Sequence, residues 1–369
     1  MSLELPKVSI IVWGYQGVKP LPATINSILQ QTNDDFEILV FSEHLRQIPA
    51  WFKRQSDARL RFILQSNLGL ATTLNQGILE ARGKYISFIN AGDLWHPQKL
   101  QQQIFCLDRH PEIGLIHSGS ALIDHQGHNP GKVIDSRSQN KSFVQTAIVS
   151  PIKKLLQPSE ILAQNQIHRS SVMLRRSCFE VVGLFNPQLQ VIPDWEMWMR
   201  LSNHTQFMAI AKPLVYCRQF PEYSSKHTSD NTPEHWLVLE TDLQKTIETV
   251  YAELPSELEQ HKHRSYSYAS LFLAQNILQH KNPDPAIAHN YLYQALEHDP
   301  LMFFSLEFCQ LRWAIFRLLF LLHCQQSDRY RHLLRFIQDG SSRSKAAMLK
   351  TREFSQNILN WMLEEATKN

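Results

Sequence analysis

The stretch Tyr85-Ile-Ser-Phe-Ile-Asn-Ala-Gly-Asp93 reads as a short buried strand that runs out onto a carboxylate. Working outward from it, the same pattern recurs toward the N-terminus. Val8-Ser-Ile-Ile-Val-Trp13 is a β-branched run, Phe36 to Phe41 is strand-like, and Leu60 to Leu64 is a third such segment. Between them, Leu21 to Gln31 carries Ile25, Ile28 and Leu29 at helical spacing, and Leu70 to Ala81 carries Leu74, Ile78 and Ala81 on one face. Strand and helix taking turns predict βαβ units, hence an α/β fold on a mostly parallel sheet. In such sheets a ligand sits beyond the carboxyl ends of the strands, where the strand order reverses. The segments that fall there are Gly14 to Gly17, Ser42 to His44, Gln65 to Gly69 and Asn90 to Asp93.

Toward the C-terminus, Ile113 to Ile134 reads as strands and turns, and Ser138 to Gln157 is a polar, aperiodic surface segment. Ser171 to Leu174 predicts a strand, Arg176 to Val182 a short helix closed by Gly183, and Asp194 to Asn203 an amphipathic helix. Gln206 to Ile210 and Leu214 to Arg218 predict two further strands. After Asn231 the character changes. Pro233 to Tyr251, Ser256 to Gln279, Asp284 to His298, Leu301 to Cys324 and Arg343 to Ala366 are all helical by period, and glycine occurs there once, at Gly340. This predicts an all-α C-terminal extension.

Composition narrows the function classes. Lys+Arg 37 against Asp+Glu 34 leaves the chain near neutral, which argues against nucleic acid as a partner. The 5 cysteines are far apart and never form a CxxC pair, which excludes a zinc ribbon and a disulfide framework and suits a reducing compartment. Met1 to Lys7 lacks a basic region followed by an apolar one, so no secretory leader is expected. The most apolar stretch, Leu301 to Cys324, is interrupted by Glu307, Arg312 and Arg317, short of the roughly 18 uncharged residues of a spanning helix. The expected location is the cytoplasm. Leu301 to Leu322 is aromatic-rich and offers two readings, a core helix of the extension or an interfacial helix making peripheral contact with the inner face of a membrane.

Asp93 follows its strand directly, and a carboxylate there can hold a hard cation, Mg²⁺ or Mn²⁺, together with phosphate oxygens. The plainer alternative is a helix cap, with Asp93 or His96 starting a helix over Pro97 to His110. His96, His168 and His227 are histidines within range of the same cleft, although a lone histidine is usually structural. Arg200 is expected to pair with a local carboxylate, and Glu196 to be a solvated helix residue.

The ordered set of motifs resembles the family 2 glycosyltransferases of the GT-A fold. Their opening strand and turn match Ser9-Ile-Ile-Val-Trp-Gly-Tyr-Gln16, and their first helix ends as here in Ser27-Ile-Leu-Gln-Gln-Thr32. Asn67-x-Gly69, Asn75-x-Gly77-Ile78 and Ala81-x-Gly83-x-Tyr85 follow in order, then the aspartate motif on Asn90-Ala-Gly-Asp93. Ser171 to Arg176, Gly183 to Phe185 and Asp194 to Leu201 complete a resemblance over roughly residues 6 to 225. The chain departs from the pattern in having Ser42-Glu43 for an acidic pair, a single carboxylate in the aspartate motif, and Phe220 where a histidine is usual.

The resemblance implies transfer of a sugar from a nucleotide-diphosphate donor to an acceptor hydroxyl, with inversion, by a metal-dependent enzyme. It implies Asp194 as the catalytic base, Tyr15, Glu43, Asn67, Asn75, Asn90 and Asp93 as donor-binding residues, and Asp93 as metal ligand. It also divides the α/β part into a nucleotide-sugar half at 1–115 and an acceptor half at 116–230, to which the change of character after Asn231 adds a helical domain at 231–369. The implied acceptor is a saccharide, a lipid-linked glycan or a protein, in cell-surface glycan synthesis. The helical tail is a candidate for acceptor binding, membrane docking or homo-oligomer formation. The missing acids motivate one alternative, a non-catalytic relative that binds nucleotide-sugar or glycan. A sugar-nucleotide-forming enzyme would need a glycine-rich phosphate loop, for which Gly14 to Lys19 is a poor match.

Overall fold

The computed structural model describes residues 5–14, 21–42, 57–64, 69–124, 153–189, 192–218, 233–279 and 284–299, with Phe52, Gly127 and Val133–Ile134. The chain divides into two compact units, Met1–Gln310 and Leu311–Asn369. Every described residue belongs to the first.

Strand β1 (Val8–Gly14) lies between β2 (Phe36–Ser42) and β4 (Tyr85–Asn90), parallel to both, and β3 (Leu60–Leu64) extends the sheet beyond β2. Because side chains alternate along a strand, β1 serves two core layers. Val8, Ile10 and Val12 pack with Ile25 and Ile28 of helix α1 (Leu21–Leu29), while Ile11 packs with Leu74 and Ile78 of α2 (Leu70–Glu80). The chain steps from β1 outward to β2 and β3, then returns across β1 to β4. The order therefore reverses between β1 and β4, where Trp13 and Asn90 stand side by side at the carboxyl ends.

The later elements complete a ten-stranded sheet in the order β3-β2-β1-β4-β9-β6-β10-β5, with β7 (Val133–Ile134) on β6 and β8 (Lys153–Leu156) on β10. Strand β9 (Met173–Arg175) runs antiparallel to both β4 and β6 (Ile113–Ile123), and β10 (Gln206–Arg218) runs parallel to β6. Strands β1–β4, β6 and β10 thus share one direction, so the sheet is mixed and mostly parallel. Two strand predictions change. Ser171 belongs to a 3₁₀ turn, Arg169–Ser171, before β9, because its Oγ donates to the His168 carbonyl at 2.6 Å and closes the turn. The two segments expected over 206–218 form one strand with register shifts on either side of Pro213; a residue without an N–H makes the ladder bulge rather than end.

At the other end of the sheet, the Ala81-x-Gly83 motif meets the start of β1 and β2. Ser9 Oγ donates to Glu37 at 2.7 Å and accepts the N–H groups of Arg82 and Gly83. Glu37 also takes the Arg82 guanidinium at 2.7 Å. Burial pushes the Glu37 carboxyl up, but the bonds from Arg82 and Ser9 outweigh it and hold it below the usual range.

The helices α7 (Pro233–Glu253), α8 (Ser256–Glu259), α9 (Lys262–Gln279) and α10 (Pro285–His298) follow the sheet. α9 is anchored on α4 (Pro158–Ala163) by Ser265 Oγ, which donates to the Leu162 carbonyl at 2.8 Å. Tyr268 of α9 meets the ring of Trp195 edge-on, with centroids 5.1 Å apart. No helix among the described residues is long and apolar enough to cross a membrane. The helices expected over 301–324 and 343–366 lie outside the described residues, as does 138–152 of the aperiodic segment expected over Ser138 to Gln157; its end is instead ordered, with Lys153–Leu156 paired as β8 on β10 and Gln157 capping the next helix.

Candidate active site

Beyond Asn90, the last residue of β4, the chain turns sharply through Ala91-Gly92-Asp93. Gly92 has φ 112°, which a side chain would strain. The turn is held on both sides. Ala91 N–H donates to the Trp13 carbonyl at 2.8 Å, and Asp93 N–H to the Asn90 carbonyl at 3.0 Å. From α1, Thr24 Oγ1 accepts the Gly92 N–H at 2.8 Å and donates to the Asp93 carbonyl at 2.9 Å. Asp93 is not a helix cap. Strand β5 (Leu94–Trp95) intervenes, and α3 (Lys99–Arg109) is preceded by Gln98 at the cap position.

The Asp93 side chain is buried, 9% exposed. Its Oδ2 accepts the Ser170 hydroxyl at 2.6 Å and its Oδ1 the Arg218 N–H at 3.1 Å. Ser170 Oγ in turn accepts the Asn90 N–H at 3.0 Å. The neighbouring Arg169 donates Nη2 to Asn90 Oδ1 at 2.8 Å, while its Nη1 lies 3.9 Å from Asp194 Oδ2. Its guanidinium also sits over the Trp13 ring, 5.8 Å from the centroid. Burial pulls the Arg169 pKa below its ordinary value, opposed by Asp194 and Asp93. Asn90, Asp93 and Asp194, which the sequence singles out separately, are therefore joined by two residues it does not single out.

Asp194 is the second residue of α6 (Pro193–Ser202), inside the first turn rather than at the cap, and its Oδ1 accepts the Trp195 N–H at 3.0 Å. Its side chain is 18% exposed. Trp195 and Trp198 are buried core aromatics. Arg200 pairs with Glu196 at 2.6 Å, as expected. Glu196 itself corrects the sequence reading. It is buried rather than solvated, because Arg200 reaches across α6 to the carbonyls of Val182 and Leu184 and draws its partner in with it.

The 169–172 turn is gripped from beneath. Trp95 Nε1 donates to the Ser170 carbonyl at 2.9 Å, Gln103 Nε2 to that of Ser171 at 2.8 Å, and Ser87 Oγ to that of Val172 at 2.5 Å. Lys99, fully buried, donates to Ser87 Oγ at 3.1 Å and Gln103 Oε1 at 2.8 Å, with its ammonium 3.9 Å from the Trp95 ring centroid. Burial holds its pKa well below that of an ordinary lysine. The only trace in the sequence is two long polar residues four apart on the face of α3 that also carries Leu100, Ile104 and Leu107.

A set of metal-competent donors centres on the same carboxylate. An oxygen of Asp93, a ring nitrogen of His168 and the Cys217 sulfur all lie within 4.8 Å of one another. Cys217 Sγ is 3.5 Å from His168 Nδ1 and 3.6 Å from Nε2, and His168 Nε2 is 4.0 Å from Asp93 Oδ2. By number and proximity the set is a candidate for a divalent ion. By chemistry it departs from the all-oxygen shell of Mg²⁺.

Of the other sequence candidates, Asn75 lies apart from this cluster in its bonding. Its Nδ2 donates to the Phe185 carbonyl and its Oδ1 accepts the Phe185 N–H, both at 2.8 Å, tying α2 to the chain beyond α5 (Cys178–Val182). His96 Nδ1 accepts the Gln98 N–H at 3.2 Å. Tyr15, Glu43 and Asn67 lie outside the described residues, as do Phe220 and His227.

Comparison with known proteins agrees with this architecture. The family model described as Glycosyl transferase family 2 matches residues 9–152. An uncharacterized glycosyltransferase of Rickettsia felis is 25% identical over 237 residues, 63% of this chain but only 38% of that protein, so the chain spans well under half of that relative. The uncharacterized glycosyltransferase MJ1057 of Methanocaldococcus jannaschii is 30% identical over 228 residues, 58% of this chain and 78% of that one. The mannosyltransferase PcManGT of Pyrobaculum calidifontis, solved in complex with GDP-Man and Mn²⁺, superposes with a TM-score of 0.50 at 17% identity, over 90% of this chain and 84% of its own. That likeness supports the GT-A fold, and with the family match and the archaeal relative covered over most of its length, the chain belongs to the family 2 glycosyltransferases.

Proposed function

We propose that the chain transfers a sugar from a nucleotide-diphosphate donor to an acceptor hydroxyl, with inversion at the anomeric carbon. The observation that supports this reading is the linkage of Asp93 to Asp194 through Ser170, Asn90 and Arg169 at the rim where the sheet order reverses. Such a rim is where an open α/β sheet binds its ligand. Asp194 is the general base. It takes the proton of the attacking hydroxyl as the bond from the anomeric carbon to the diphosphate breaks, so one displacement and one base suffice. Arg169 orients that carboxylate, and Asn90 fixes Arg169. A divalent cation held at Asp93 would offset the charge that develops on the leaving diphosphate.

Within this reading residues 1–115 carry the donor, with Tyr15, Glu43, Asn67 and Asn75 contributing to its site. Residues 116–230 shape the acceptor side, and the helical region 231–369 follows, its helices up to His298 packing in the same compact unit as the sheet. The acceptor is a saccharide, a lipid-linked glycan or a protein on the way to a cell-surface glycan. Because nucleotide-sugars are the donors, the site of action is the cytoplasm or the inner face of the membrane. The test is calorimetry with UDP, GDP, dTDP and CDP, each with and without a divalent metal, followed by transfer assays with the nucleotide-sugar of the base that binds. Asp194→Asn is expected to abolish transfer while leaving nucleotide binding intact. Unchanged turnover in that variant overturns the base assignment.

A further inference from the structure

We propose that Asp93, His168 and Cys217 form a three-ligand site for a borderline transition metal, Zn²⁺ in first place, rather than a Mg²⁺ site. The glycosyl-transfer reading enters only in naming what fills the remaining position, a diphosphate oxygen of the donor. The donor set decides the metal class. Mg²⁺ takes oxygen ligands in near-octahedral order and keeps several waters, whereas thiolate and imidazole select zinc and its neighbours. One carboxylate, one imidazole and one thiol are three protein ligands with a fourth position open, the usual plan of a zinc site that must also admit a ligand.

The donor atoms lie near the spacing of a filled site and close on an ion by small side-chain movements. Zinc holds nitrogen at about 2.0–2.1 Å and sulfur at about 2.3 Å, so a tetrahedral ion separates them by about 3.6 Å. Cys217 Sγ stands 3.5 and 3.6 Å from the two His168 ring nitrogens, so it lies against the imidazole rather than on one nitrogen's lone pair, and the partly exposed ring turns to share an ion with it. Nitrogen and carboxylate oxygen around the same ion stand about 3.3 Å apart. His168 Nε2 and Asp93 Oδ2 are 4.0 Å apart and the three donor atoms spread over up to 4.8 Å, so closure draws the widest pair together by about 1 Å. Asp93 is already oriented, since Ser170 Oγ and Arg218 N–H each take one of its oxygens and leave lone pairs free. Cys217 is buried on β10, whereas the His168 side chain is 40% exposed, which gives an ion a route from solvent. On binding, the Cys217 sulfur exchanges its proton for the metal and the proton leaves to solvent.

The test uses the full chain, stripped of metal and titrated with Co²⁺ as the visible stand-in for Zn²⁺. The expected result is one Co²⁺ per chain, with a near-ultraviolet thiolate-to-cobalt band that excess Mg²⁺ leaves in place and stoichiometric Zn²⁺ removes. Cys217→Ser should lose that band and weaken Zn²⁺ binding by more than the 10–100-fold that removal of a supporting residue costs. His168→Ala should weaken Zn²⁺ binding without removing the thiol, and circular dichroism of both variants checks that they fold. Absence of the band, its loss to Mg²⁺, or wild-type Zn²⁺ affinity in Cys217→Ser overturns the site. Nucleotide calorimetry on the same samples separates the two readings. Nucleotide binding with Mg²⁺ but no Zn²⁺ site defeats this inference alone, and a Zn²⁺ site with no nucleotide binding leaves it standing while the transfer reading falls.

Discussion

Replacing Ser170 with alanine tests whether the geometry of Asp93 is built or incidental. The hydroxyl makes two bonds in a dry place, donating to Asp93 Oδ2 at 2.6 Å and accepting the Asn90 N–H at 3.0 Å. Ser170 itself is fully buried. A hydrogen bond to a charged group contributes about 1.5–3 kcal/mol, and a buried N–H left without an acceptor costs about 1–3 kcal/mol. Asp93 keeps its bond from the Arg218 N–H, and some relaxation is expected, so the net loss for Ser170→Ala is about 2–4 kcal/mol. Urea unfolding followed by tryptophan fluorescence reads this directly, because Trp95 donates to the Ser170 carbonyl. With a slope of about 3 kcal/mol/M, the midpoint should fall by about 1 M at unchanged slope. A double-mutant cycle with Asp93→Asn should return a coupling of about 1–3 kcal/mol. A loss below about 0.5 kcal/mol, or no coupling to Asp93, would refute the claim that Ser170 sets the carboxylate.

Two further effects follow from packing and charge. Gly83→Ala would put a methyl 2.5 Å from the Ser9 backbone nitrogen and 2.8 Å from the Val8 carbonyl carbon, neither of which can yield without moving β1; an expected loss of about 1–3 kcal/mol is measured by the same unfolding assay, and near-wild-type stability would show the approach to be looser than drawn. His117, buried on β6, is held neutral by burial with its pKa down at about 4. An unfolded histidine titrates near 6.5, so the unfolded state binds the extra proton between those values and stability falls as pH drops through that window. The gap corresponds to about 3 kcal/mol, and unfolding midpoints across it should fall less steeply in His117→Leu than in the wild type.

The fold is legible because its first half obeys two clean periods. The run Val8 to Trp13 and the helix with Ile25 and Ile28 fill opposite sides of one layer, and no other element type satisfies those spacings. Motifs that look functional in the sequence turn out to hold the frame. In Ser27-Ile-Leu-Gln-Gln-Thr32, Ser27 Oγ accepts the Trp95 N–H at 3.1 Å, and the Gln31 amide bridges the His96 carbonyl at 2.8 Å and the Leu100 N–H at 3.0 Å. That motif therefore fixes the segment just past Asp93. Asn75 likewise clamps both backbone groups of Phe185. Motif spacing shows which residues are constrained, but a residue clamping a loop and a residue binding a ligand leave the same trace.

The rest of the site was hidden because its members come from distant strands with no spacing to betray them. Arg169, Ser170 and Cys217 have no local pattern; only the antiparallel insertion of β9 between β4 and β6 carries 169–171 to the end of β4. Their placement also gives a physical account of the acid missing from Asn90-Ala-Gly-Asp93. Arg169 donates to Asn90 Oδ1 at 2.8 Å and stands 3.9 Å from Asp194 Oδ2. A carboxylate at position 90 would form the shorter ion pair and compete with Asp194 for the one guanidinium between them. The amide accepts the same hydrogen bond without a charge. It positions Arg169 and leaves the cation's field to Asp194, while Asp93, His168 and Cys217 stand together as the donors of the proposed metal site.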